Sequence, residues 1–415
     1  MKTKLVTSAV LLACSGLALA DDVQPVKFSG FGTFGAARSN NNEADFRLNP
    51  EQLTGTARTN HTDTTLDTKF ALQADATLTK GLTATAQLMA RKHGDNSSRA
   101  EFEWLNLRYQ ATRDLYVRGG RVQTPMFMLS EYQNVGYSLT ALRVPQDVYS
   151  QNLITYLDGI DVGYRKEVGE VLVNAKGLAG KRKLHLDTSG GLNFDFDIAM
   201  ATLSGEFHGH TLRTAYAKFN IGAQADFYTL LNSSLDSLVA AGVPNASTLQ
   251  NNLPTNDVKA DFLTFGYSYD KDQYLLQSEY VISRADGNVY PNKDAWYVLG
   301  GYRLGKFTPY ASYSKIKMTE KFDLPKISMS GLQPAQIRPA ATVNAFIDGF
   351  MLSQAQSTMA AGVRWDVAEN VALKLQGDYI RKPSESKGNF ANQTSDFAAN
   401  SRNVSVISAS VDFIF

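Results

Sequence analysis

The segment Val404 to Phe415 reads VSVISASVDFIF and alternates strictly. Ile407, Ala409, Val411, Phe413 and Phe415 are apolar, and Ser408, Ser410 and Asp412 stand between them. A period of two marks a β-strand with one apolar face and one wet face. A strand this apolar at a free terminus is an aggregation hazard if it forms an open edge. It is either the edge of an ordinary sandwich or a strand that pairs with the first one in a closed barrel, where no edge exists. The rest of the chain favours the barrel, because the same pattern recurs along it.

From Leu66 to Lys80, Phe70, Leu72, Ala74, Ala76 and Leu78 alternate with Lys69, Gln73, Asp75 and Thr77. After the minimal turn Thr79-Lys80-Gly81, Leu82, Ala84, Ala86, Leu88 and Ala90 alternate with Thr83, Thr85, Gln87 and Arg91. This is a β-hairpin. The grammar repeats to give about 16 strands, with seven short turns alternating with eight loops of roughly 7 to 36 residues. Strict alternation of short and long connections puts all turns at one end and all loops at the other. A sandwich with Greek-key crossovers would mix the lengths. The expected fold is therefore all-β: a transmembrane antiparallel up-and-down β-barrel, with short periplasmic turns and longer outer loops. Tyr109, Tyr116, Tyr164, Tyr267, Tyr269, Tyr274, Tyr302, Phe307, Phe413 and Phe415 sit toward strand ends and read as an interfacial girdle.

Composition permits this fold without announcing it. Mean hydropathy is −0.24, and no run of about 18 apolar residues follows residue 20, so no helix can span a bilayer. Alternating strands escape such averages. Residues 1–20 read as an export signal, with Lys2 and Lys4, an apolar core from Leu5 to Leu19, and Ala18-Leu19-Ala20 before Asp21. Leu11-Leu12-Ala13-Cys14 as a lipoprotein box is the rival reading, disfavoured by the apolar residues that follow Cys14. Cleavage leaves residues 21–415 as a single barrel domain and takes the net charge from +1 to about −1, which excludes a nucleic-acid footprint. Cys14 is the only cysteine, so the mature chain has no disulfide or thiol chemistry. Gly30-x-Gly32-x-x-Gly35 lies inside a strand with a polar stretch behind it, which is the wrong setting for a dinucleotide fingerprint. Glycines there mark sheet curvature or close contact.

Alternation also assigns the lumen. Lys69, Arg91, Arg108 and Arg118 fall on the polar face of four successive strands and would form a basic stripe on one wall. Arg165, Arg213, Arg364 and Lys374 add positive charge. Asp67, Asp75, Asp161, Asp195, Asp197, Glu279 and Asp378 are the expected inward acids. Gln123 to Asn152 lacks alternation and carries Glu131 and Asp147. Folded into the barrel, this segment would be a constriction loop whose acids face the stripe across a transverse field. Phe227 to Gly242 has helical spacing inside another outer loop. Residues 319–355, with Pro325, Pro334 and Pro339, read as a large surface loop.

With these features in place, the chain resembles the Gram-negative trimeric porins of the 16-stranded general-diffusion type. The resemblance rests on the signal, the Gly-rich first strand, the hairpin Leu66 to Arg91, the run Gly120-Arg121-Val122-Gln123-Thr124-Pro125 and the terminal Phe415. The acidic Pro-Glu-Phe-Gly run of enterobacterial constriction loops is absent. The resemblance implies an outer-membrane channel for passive diffusion of small hydrophilic solutes and ions, with no cofactor. It also implies a homotrimer joined through the early strands, and Phe413 and Phe415 as the signal to the barrel-assembly machinery. A substrate-selective porin, for anions or sugars, is the alternative within the fold. An outer-membrane enzyme is the alternative outside it. Gly-x-Ser-x-Gly is absent, no histidine neighbours a serine motif, and the pair His208 and His210 lacks the further ligands a metal needs.

Overall fold

The computed structural model describes residues 26–415 apart from 152–153, 187–191, 224, 254–257, 287–290, 321–323, 351–352 and 385. The segment expected to be an export signal lies outside the described residues. Among them run sixteen long strands: β1 Lys27–Ser39, β2 Lys69–Thr79, β3 Leu82–Lys92, β4 Ser98–Gln110, β5 Leu115–Gln123, β6 Tyr156–Val168, β7 Val171–Leu186, β8 Leu192–Phe207, β9 His210–Ala223, β10 Val258–Lys271, β11 Tyr274–Ala285, β12 Lys293–Tyr302, β13 Phe307–Met318, β14 Gln356–Ala368, β15 Val371–Lys382 and β16 Arg402–Ile414. Each pairs antiparallel with the next, and β16 pairs back onto β1 from Phe31↔Ile414 to Ser39↔Val406. The sheet is closed, so every strand has a partner on both sides, as hydrocarbon requires.

The closing seam explains the Gly-rich first strand. Gly30 and Phe415 exchange backbone hydrogen bonds of 2.9 and 3.0 Å. A Cβ on Gly30 would overlap the Phe415 ring, and one on Gly32 would overlap the Phe413 ring. With that space clear, Phe413 stacks on Phe34 and Phe415 on Phe70, each at 5.9 Å between centroids. The four rings form an aromatic strip across the seam on the outer face of the barrel.

Residues 80–81, 111–114, 169–170, 208–209, 272–273, 303–306 and 369–370 make the tight turns at one end. His208 and Gly209 both have positive φ, 49° and 85°, as a two-residue hairpin turn of type I′ needs. At the other end the long loops carry structure of their own. Asp45–Phe46, Thr56–Ala57 and Phe390–Ala391 form a small sheet that ties the first long loop to the last. The expected helix near Phe227 to Gly242 is present as Ala225–Ala240. The large surface loop expected at 319–355 contains a helix that was not expected, Pro334–Phe350. Pro334 occupies its first position, where no N–H is needed, and Val343, Phe346 and Ile347 pack on Leu231, Leu235 and Leu238 of the other helix.

The outer face carries Phe28, Phe34, Leu78, Leu105, Leu107, Tyr109, Leu212, Phe265, Leu375 and Ile407, all exposed, as a lipid-facing band does. Two expectations about facing fail. Asp195 and Asp197 point outward, in register with Lys183 and Lys181 and ion-paired with them, because Phe194, Phe196, Ile198 and Met200 take the inner face of β8. Tyr116 belongs to the inside rather than the girdle. Its ring lies over Gly163, where a Cβ would collide with it, and beneath Arg108.

Candidate permeation pathway

After Gln123 the chain leaves the wall, and residues 124–151 fold into the lumen before β6 begins. Two kinds of contact hold the loop there. Met126, Phe127, Leu129, Val148 and Tyr149 are buried against inward Phe196, Ile198, Met200, Phe219, Phe262 and Tyr297. The inner wall from β7 to β13 is thus largely apolar, and the loop covers it. This is the ordinary hydrophobic effect acting inside a water-filled barrel.

Wall side chains then satisfy the loop backbone. Arg213 donates to the carbonyls of Pro125 and Met126. Arg364 donates to those of Tyr137 and Leu139 at 2.6 and 3.0 Å. Lys374 donates to Gly136 and Ala141 at 2.6 and 3.1 Å. Gly136 presses so closely on the Thr33–Asp412 hydrogen bond that a side chain there would collide with both residues. Glu279 accepts from the Met128 amide at 2.8 Å and from the Tyr149 hydroxyl at 3.1 Å.

Arg143 is the central clamp. Its guanidinium forks onto both carboxylate oxygens of Asp67 at 3.0 and 2.7 Å. It also donates to Asp378 at 2.8 Å and to the Ser408 hydroxyl at 2.7 Å. Burial alone would lower its pKa, but the two carboxylates raise it on balance, so the clamp stays charged at any physiological pH. Asp147 anchors the next turn, accepting from Ser314 at 2.7 Å, Gln356 at 2.6 Å and Thr358 at 3.2 Å. Burial raises the pKa of its carboxyl.

The open space lies on the other side of the loop. A narrow passage of about 120 Å³ runs between Lys69 and Arg91 on the wall and Gln133, Asn134 and Gln146 on the loop. On the long-loop side, a mouth of about 240 Å³ contains Glu51, Arg91, Glu101 and Arg182. On the short-turn side, a chamber of about 620 Å³ holds Arg108, Tyr116, Glu131, Tyr132, Arg165 and Lys176.

The four cations expected in one stripe fall into two groups. Lys69 and Arg91 are in register beside the passage, and Lys69 makes no ion pair among the described residues. Arg91 is paired with Glu103 at 2.6 Å and Glu101 at 3.7 Å. Arg108 and Arg118 are in register near the turns; Arg108 reaches the chamber, whereas Arg118 is ion-paired with buried Asp161. Thr83 is the register partner of Arg108, so the two levels differ by the eight residues from Thr83 to Arg91, roughly 26 Å along the strand.

Neither loop acid faces Lys69. Glu131 opens onto the chamber and is paired with Lys176 at 2.5 Å; burial raises its pKa, but Lys176, Arg213 and Arg118 together lower it on balance. Asp147 is 1% exposed, turned toward the wall. The expected acids-facing-stripe arrangement is corrected for Asp147, which is used in docking the loop; Glu131 lines the chamber together with Arg108 while paired with Lys176. Sequence reasoning missed Arg143, whose signal is that it is the single basic residue between Gln123 and Asn152. It also missed the amide rim, which carries no signal beyond its polarity.

The sequence matches the family model described as Gram-negative porin over residues 7–412. The chain belongs to that family. Solved structures agree in fold. The anion-selective porin from Comamonas acidovorans is 12% identical and covers 94% of this chain and 99% of its own, with a TM-score of 0.54. OmpF of Salmonella typhi, in complex with daunomycin, is 13% identical over 94% and 97%, with a TM-score of 0.52. OmpT of Vibrio cholerae in its trimer form is 12% identical over 94% and 99%, with a TM-score of 0.50. No curated protein sequence matches significantly. This porin is accordingly an outer-membrane channel.

Proposed function

We propose that this porin is a passive aqueous channel for small hydrophilic solutes that favours anions, and that it has no catalytic activity. The carrying observation is the passage itself. Its charged lining is Lys69, Arg91, Lys92 and Arg143 with Asp67; Arg91, Lys92 and Arg143 are each paired with carboxylates, which leaves Lys69 as the cation without an ion pair among the described residues. The opposite rim is amide. The chamber continues the bias with Arg108, Arg113, Arg165, Lys176 and Arg213 against Asp114, Glu131 and Glu206. Like-signed walls of a narrow low-dielectric channel concentrate the opposite ion.

The test is the reversal potential of single channels in a planar bilayer under a KCl gradient. An anion-preferring sign is expected, and a cation-preferring sign would refute the reading. The exposed aromatic and leucine residues of the early strands, among them Phe28, Phe34, Phe70 and Leu72, suit a homotrimer contact, and the trimer form of the Vibrio cholerae neighbour supports it. Residues 1–20 as a cleaved signal, residues 21–415 as one barrel domain, and Phe413 and Phe415 as the mark read by the barrel-assembly machinery complete the proposal.

A further inference from the structure

The chamber on the short-turn side carries more than a charge bias. Tyr116 lies flat on Gly163, its register partner on β6. The Arg108 guanidinium sits 4.3 Å above the centroid of that ring and is oriented by a 2.8 Å hydrogen bond to Gln110. Arg108 has no carboxylate partner among the described residues. Arg165 follows Gly163 on the same inner face of β6 and likewise makes no ion pair there. One strand, β5, separates Arg108 from Arg165, and Arg165 lies four residues beyond Asp161, the β6 position level with Arg108; the backbones are about 16 Å apart, a span that two extended guanidinium side chains close onto one carboxylate.

The adjoining wall, which begins at Asn174, the register partner of Arg165, is of different chemistry. Asn174 and Lys176 on β7 are in register with Ser204 and Thr202 on β8. Thr211 on β9 is in register with Ser268 on β10. The four hydroxyls line the chamber and donate to no described residue. Glu131 and Glu206, the acids nearest this row, are bound to Lys176 and Asn174.

We propose that the chamber is a retention site for hydroxylated organic anions of the sugar-acid class. The carboxylate docks between Arg108 and Arg165, and the hydroxyls lie along Thr202, Ser204, Thr211 and Ser268. A guanidinium pair recognises the charge in a planar, bidentate way, and the hydroxyl row recognises a polyol without fixing its stereochemistry. A space of about 620 Å³ is several times the size of a six-carbon acid, so the site slows passage rather than trapping the solute. This deepens the anion-favouring reading and rests on it.

The experiment uses single porin channels in a planar bilayer at 0.1 M KCl. Sodium gluconate, sodium acetate and D-glucose are added in turn, and current noise is analysed for saturable block. Gluconate is expected to block saturably, with acetate (charge without hydroxyls) and glucose (hydroxyls without charge) at least tenfold weaker. Arg108→Ala and Arg165→Ala are each expected to raise the half-blocking gluconate concentration about tenfold. Arg108→Lys, which keeps the charge and loses the flat stacked fork, should fall between. If wild-type block by gluconate does not saturate, or equals that of acetate, the site is refuted without reference to any variant. The KCl reversal potential of the same membranes separates the failures. A cation-preferring channel sinks the anion reading, whereas an anion-preferring one indifferent to gluconate sinks only the site.

Discussion

Replacing Arg143 by methionine tests whether the constriction loop is held by charge as well as by apolar packing. Methionine keeps much of the buried volume and removes the cation, leaving Asp67 and Asp378 facing each other in a site where they are 6% and 7% exposed. Removing one partner from a buried ion pair costs ~3–5 kcal/mol, which shifts the ratio of docked to undocked loop by roughly two to four orders of magnitude. Protonation sets a ceiling on that cost. Neutralising an ordinary aspartate takes about 4 kcal/mol at pH 7 but only ~1.5 kcal/mol at pH 5. Arg143→Met should therefore show frequent closures and broadened current noise at pH 7 and become quieter at pH 5. The triple variant Arg143→Met, Asp67→Asn, Asp378→Asn leaves no charge to strand, so it should be quiet at both. Single-channel recording is the assay, with heat-shifted gel mobility to show that each barrel is folded. If Arg143→Met is as quiet as wild type at pH 7, or the triple variant as noisy as the single one, the clamp does not set loop order and the apolar cluster alone holds it.

Lys69→Glu changes the charge at the passage by two units. With each unit worth ~0.7 kcal/mol at about 6 Å in a water-like dielectric, reduced by salt, the chloride-to-potassium permeability ratio should fall about tenfold, and an unchanged reversal potential would place Lys69 outside the ion path. Burial lifts the Glu51 carboxyl to about 7 against the pull of Arg91 and Arg182, so it is neutral below that pH and negative above it. Anion preference should decline between pH 6 and pH 8 and stay flat in Glu51→Gln; a pH step retained by that variant would assign the titration elsewhere. Removing Phe415, or placing leucine at Gly32 where it would meet the Phe413 ring, should lower the amount of folded barrel in outer-membrane fractions. Normal assembly of both variants would count against the aromatic seam.

Strand number, pairing order and the end carrying the long loops were legible, because a period of two is a local property and each hairpin repeats it. The lumen was legible where one face is polar and the other apolar, as in β2 and β3. It failed on β8, where Phe194, Phe196, Ile198 and Met200 turn inward to meet the loop. Both faces of that strand are apolar over much of its length, so the charged Asp195 and Asp197 were taken to mark the wet side. They mark instead the exposed continuation of the hairpin. The helix Pro334–Phe350 was hidden by the rule that proline ends helices, although proline at the first position favours one.

The loop's acids illustrate why a pattern that identifies a fold does not by itself locate its field. A carboxylate on an inward loop has two competing uses: it can face the pore, hydrated and free to act on ions, or it can be spent on holding the loop. Here the apolar half of the inner wall draws the loop toward β7 to β13, and its buried polar groups must then find partners there and on the adjoining strands β14 to β16. Asp147 finds Ser314, Gln356 and Thr358, and Glu131 finds Lys176. The passage is left to the opposite wall, where Lys69 makes no ion pair among the described residues and the loop presents Gln133, Asn134 and Gln146 beside the clamped Arg143. Selectivity thus follows from loop docking, and the residues that set its sign include apolar ones that no ion touches.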